Sequence, residues 1–109
     1  MRIAAGVLLA ACAFAALAAD PPPGPAHPGK VKAQMCATCH GPLGVSNAPD
    51  APHLAGQPKI YLEAQLKAFR GGMRRHEVMN VIAKPLTDGE IESLSDWYSS
   101  LQVDAKERR

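Results

Sequence analysis

Two cysteines three residues apart, with a histidine directly after the second, constrain this chain more than any other stretch: Cys36-Ala37-Thr38-Cys39-His40. Two thiols at that spacing can add to the two vinyl groups of one porphyrin. The histidine then lies beneath the ring, where its imidazole can bind iron. The motif therefore predicts one covalently held haem c. Three other uses of the same residues fit less well. A thioredoxin-like redox pair needs a βαβ setting, and no strand pattern flanks the motif. A structural zinc site needs a second Cys or His pair at ligand spacing, which the sequence lacks. A plain disulfide leaves His40 without a purpose.

The N-terminus carries an address. Met1-Arg2 is followed by an uncharged apolar run from Ile3 to Leu17, and Ala16-Leu17-Ala18 offers the small residues a signal peptidase reads. Residues 1–18 are expected to be a cleaved secretory signal, placing the mature protein in the periplasm. An uncleaved anchor is the rival, although the run is shorter than the ~20 residues of a spanning helix. Leu9-Ala10-Ala11-Cys12 also resembles a lipoprotein box, which would anchor the chain through Cys12, but the apolar stretch continues beyond that cysteine. Cleavage after residue 18 removes Cys12 and leaves two cysteines, both in the haem motif. With 47% hydrophobic and 20% charged residues in 109, the composition is that of one small domain. A core of that size needs a staple, so the apoprotein is expected to be largely unfolded without its haem.

Residues 19–28 hold five prolines and form an extended arm. A helix is expected from about Pro28-Gly29, with Val31, Met35 and Cys39 on one face delivering the cysteines, and Met35 in the core. Gly41-Pro42 stops it, and a loop runs to Gln57. Pro58 opens a second helix to about Arg70, striped by Leu62, Leu66 and Phe69, which Gly71-Gly72 ends. Pro85 closes a short helix after Met79. Thr87-Asp88-Gly89-Glu90 reads as a capping box ahead of a last helix bearing Ile91, Leu94, Tyr98 and Leu101. The fold class is all-α: three main helices and a long loop around a cofactor. The domain is expected to span residues 29–104, with a charged tail at 105–109.

The haem motif, the Pro52-x-Leu54-Ala55-Gly56-Gln57 turn and the Met79-x-x-x-Ala83-x-x-Leu86-Thr87-Asp88 run together resemble a class I cytochrome c. The likeness is to the short bacterial periplasmic monohaem domains related to tandem diheme cytochromes, and it covers about Gly29 to Leu101. The resemblance implies thioether links at Cys36 and Cys39, with His40 as proximal ligand. It implies that the Pro52 carbonyl accepts from the other imidazole nitrogen, that Leu54 packs on the haem face, and that Met79 is the distal ligand. A thioether suits low-spin iron and raises its potential relative to a second histidine, an independent reason to favour Met79. Met73, His76 and an open or water-filled position remain alternatives for the sixth site. Where tandem members carry Asn-Pro or Asp-Pro before their methionine, this chain has Arg75-His76-Glu77-Val78. His27 reads as a solvated arm residue and His53 as a loop residue.

Charge is uneven. From Lys59 to Lys84 there are six bases and two acids, and from Asp88 to Asp96 four acids and no base. This predicts either ordinary solvated helix faces or a dipole whose basic side flanks the haem and steers an acidic redox partner. Arg70 and Arg74 are candidate partners for a haem propionate. Nucleic acid is not an expected partner, because aromatics are few and the net charge is only +2. No paired carboxylates, serine triad or phosphate loop suggests catalysis, so the chain is expected to be an electron carrier and not an enzyme. The alternatives are a cytochrome subunit in complex with a periplasmic dehydrogenase, and a ligand-binding or peroxidatic haem protein with an open iron position.

Overall fold

The computed structural model describes residues 23–108; the expected signal segment at 1–18, with Cys12, the first residues of the expected arm and Arg109 lie outside that range. The described residues contain helices and no strand: α1 Pro28–Lys32, a 3₁₀ turn Ala33–Met35, α2 Ala37–His40, α3 Lys59–Arg70, α4 Glu77–Ala83 and α5 Asp88–Ser100. The all-α fold is the one expected, with α1, α3 and α5 as its frame. α5 packs on both α1 and α3, and α4 packs on α3.

α5 begins at the expected box: Thr87 Oγ1 accepts from the Glu90 N–H at 3.1 Å and Glu90 Oε2 accepts from the Thr87 N–H at 3.0 Å. Its Ile91, Leu94 and Tyr98 are buried and, with Leu62 of α3 and Ala33, Ala83 and Leu86, form the core. Leu66, Phe69, Trp97 and Leu101 pack around it. Fully burying a Leu or Ile side chain contributes about 1.5–3 kcal/mol, so this cluster is the main source of cohesion.

The first helix departs from expectation in two ways. It is not continuous: after Lys32 the bonding tightens to a 3₁₀ turn, with the Cys36 N–H donating to Ala33 at 2.9 Å, before α2 restarts at Ala37. The buried positions are Gly29 and Ala33, whereas Val31 and Met35 are 54% and 44% exposed, so Met35 is not a core residue. Close approach is the reason. A Cβ on Gly29 would collide with the Ser93 carbonyl and come within 2.8 Å of Trp97 Cβ, so only small residues let α1 cross α5 this closely, and the larger ones turn outward. His27, expected to be solvated, instead accepts from the Gly29 N–H at 3.0 Å and caps α1, its ring 5.8 Å from that of Trp97.

Candidate haem site

His40, at the end of α2, is buried. Its Nδ1 lies 2.8 Å from the Pro52 carbonyl oxygen, which can only accept, so Nδ1 carries the proton. The lone pair of Nε2 is therefore left for a metal, and the ring is held in one orientation. The loop that brings Pro52 back is itself tied down. Leu54 and Ala55 donate their N–H groups to the Gly44 carbonyl at 2.7 and 3.1 Å. Gly44 adopts φ 72°, and a Cβ there would press on the Tyr98 ring at 2.8 Å. Leu54 is half-buried against the core.

Two residues missed in the sequence brace this loop. Ser46 is buried, and its hydroxyl donates to the Cys39 carbonyl at 2.8 Å and accepts from the Ala48 N–H at 3.0 Å. His53 Nδ1 accepts from the Ser46 N–H at 2.8 Å. A serine seven residues beyond Cys39 has no sequence signal, because the loop has no period.

The Cys36 side chain is half-buried beside Tyr98 and that of Cys39 is exposed. Burial pushes the Cys36 thiol above its usual range, partly offset by the Tyr98 hydroxyl and by Lys32. Burial also raises the Tyr98 hydroxyl. Among the described residues no group of three or more His, Cys, Asp or Glu side chains gathers to hold a metal ion.

Met79 is half-buried in α4, whose main packing partner is α3, not α2. Met73 is 88% exposed in the loop before α4. His76 has its Nδ1 engaged as the cap of α4, accepting from the N–H groups of Val78 and Met79 at 3.3 and 3.2 Å. The donor chemistry fits a covalently attached haem: two unpaired thiols, one imidazole with its second nitrogen satisfied, and a thioether on a separate helix. Cys36 and Cys39 have the spacing that attachment of one haem c requires.

The basic run is partly neutralised. Lys59 Nζ lies 2.7 Å from Asp96, 3.5 Å from Glu92 and 3.8 Å from Glu63, stapling α3 to α5. Arg70 donates to the Leu86 carbonyl at 3.1 Å and to Asp88 at 2.7 Å, so its guanidinium is committed within the protein. Arg74 stacks 4.6 Å from the Phe69 ring centroid and donates to Gln65 at 2.6 Å. Lys67, Arg74, Arg75 and Lys84 have no ion-pair partner among the described residues.

The Cytochrome c family model matches residues 26–102. A thiosulfate dehydrogenase electron acceptor from Thiomonas intermedia is 41% identical over 76 residues, covering 69% of this chain and 35% of the relative. Cytochrome c-554(548) from Halomonas halodenitrificans is 39% identical over 80 residues, covering 71% of this chain and 96% of the relative. The solved structure of reduced recombinant cytochrome c4 from Pseudomonas stutzeri superposes with TM-score 0.66 at 34% identity, covering 73% of this chain and 47% of that one. The chain thus spans about a third of the first relative and nearly all of the second. Helices without strands, the engaged His40 ring and the family match across most of its length lead to one conclusion: the chain belongs to the cytochrome c family, and its cofactor is one covalently attached haem c.

Proposed function

We propose that this protein carries single electrons between redox proteins in the periplasm, with haem joined at Cys36 and Cys39 and iron held by His40 and Met79. The observation that carries this reading is the His40–Pro52 hydrogen bond at 2.8 Å, which leaves Nε2 aimed as a fixed, basic ligand. When bound, the haem supplies a one-electron ferrous/ferric couple. His40 holds the same tautomer in both states, and Leu54 keeps the adjoining loop packed on the core. A neutral imidazole and a neutral thioether add no charge to the iron, and neither has to gain or lose a proton as the electron passes.

The test is the absorption spectrum of the ferric holoprotein beside Met79→Ala, with carbon monoxide added to both after reduction. A weak far-red sulfur-to-iron band in the wild type, absent from the variant, together with gas binding by the variant alone, is the expected result. A wild type that lacks the band yet ignores the gas would transfer the ligand role to His76. Gas binding by the wild type would replace electron transfer with a ligand-binding or peroxidatic function.

The name of the Thiomonas relative favours a second reading, in which this chain accepts electrons from a dehydrogenase partner. The four bases without ion-pair partners suit an acidic docking face on such a partner. Electron-transfer rates that fall with added salt, and co-elution with a catalytic subunit, support it. A rate indifferent to ionic strength removes the electrostatic part.

A further inference from the structure

Among the described residues, the rest of the chain gives α4 little apolar burial. Of its seven residues only Ala83 is buried, while Val78 and Val81 are 50% and 69% exposed. A seven-residue helix is not stable by itself. Among the bonds that set its place, three come from one side chain, Asn80. Asn80 Oδ1 accepts from the His76 N–H at 2.7 Å, and Asn80 Nδ2 donates to the carbonyls of Phe69 and Arg74, both at 2.8 Å. These bonds use both amide donors and one acceptor position, and they reach the last turn of α3, the connecting loop and the residue that caps α4. Around them, the Arg74 N–H donates to the Ala68 carbonyl at 3.1 Å, and the His76 ring packs edge-on to Phe69 at 6.4 Å.

Asn80 is the chain neighbour of Met79, and the His76 ring that holds the Met79 N–H belongs to the residue whose own N–H Asn80 holds. A methionine side chain has three rotatable bonds and little rotamer preference, so the reach of its sulfur depends on where its backbone is fixed. A neutral thioether is also a weak ligand that other molecules can displace. We propose that Asn80 is a positioning residue for the sixth haem ligand: its three hydrogen bonds lock α4 against α3 so that the Met79 sulfur stays on the iron. Asn80 does not touch the iron and acts through the backbone of Met79. The inference rests on the reading of Met79 as that ligand.

The experiment uses the holoprotein with Asn80→Ala, with the milder Asn80→Ser that keeps one hydroxyl, and with Thr87→Ala, which weakens the cap of α5 away from Met79. The ferric sulfur-to-iron band, the midpoint potential and carbon monoxide binding by the ferrous form are measured for each. Asn80→Ala is expected to weaken or lose the band, lower the potential, and bind carbon monoxide where the wild type does not, the fraction of molecules with the sulfur off the iron rising about tenfold or more, the factor a lost hydrogen-bond anchor can give. Asn80→Ser lies between it and the wild type. Thr87→Ala lowers the thermal midpoint but leaves all three readouts unchanged. If both Asn80 variants keep the wild-type band, potential and gas inertness, or if Thr87→Ala shifts these as much as they do, Asn80 has no positioning role. A wild type without the sulfur band overturns the ligand reading itself, and the inference with it.

Discussion

The frame and α4 are held by different physics. α1, α3 and α5 meet through Gly29, Ala33, Leu62, Ile91, Leu94 and Tyr98, small or apolar residues whose burial is cooperative. α4 and its loop are held by polar side chains: Asn80 and His76 bond to backbone groups, and Arg74 donates to the side chain of Gln65. Apolar burial has no preferred direction and tolerates small shifts, whereas hydrogen bonds fix a backbone in angle as well as distance. The part that keeps the domain folded is therefore built by burial, and the part that carries Met79, the proposed sixth ligand, is built by direction.

Four experiments bear on that contrast, beginning with the largest effect. Gly29→Ala places a Cβ on the Ser93 carbonyl, a backbone atom that cannot rotate away, so α1 must lift from α5. A loss of about 4 kcal/mol, above the usual overpacking cost, is expected in chemical denaturation of the holoprotein, and a wild-type midpoint would contradict the close crossing. Leu94→Ala empties a site that is 2% exposed and should lower global stability by about 3 kcal/mol, with faster amide exchange throughout α1, α3 and α5.

Asn80→Ala should lower stability by about 2 kcal/mol, chiefly as local opening. Hydrogen exchange is expected to speed up at residues 76–83 and stay near wild type in α5. Acceleration spread evenly over the frame would erase the contrast between the two regions. The smallest effect comes from acid. The Arg70 hydrogen bond holds Asp88 below its ordinary 3.8, and the Lys32 hydrogen bond, with the Thr87 backbone, holds Glu90 below its ordinary 4.5. Because the folded chain gives up these protons more readily than the unfolded one, their stabilisation is complete above those values and is lost as the pH falls below them. Both groups are open to solvent, so Asp88→Asn with Glu90→Gln should only slightly flatten the acid limb of a stability–pH curve.

Much of this protein was legible in local spacing. The Cys36-x-x-Cys39-His40 motif, the α3 stripe and the α5 capping box depend on residues within one or two helical turns of each other, and the sequence states those separations directly. What reached across the fold was not legible. Val31 and Met35 carry the apolar period of the first helix, yet Gly29 and Ala33 are buried, because the closeness of α5 decides which face can enter. His76 read as a rival ligand and caps α4; Asn80 carried no signal and ties together three segments. Ser46 and His53 looked like ordinary loop residues and brace the turn that brings Pro52 to His40. Hydrophobic period and helix caps are properties of neighbouring residues, so the chain determines them alone. A side chain bonded to a distant carbonyl has a role only after packing brings that carbonyl within 3 Å, and that proximity belongs to the tertiary structure.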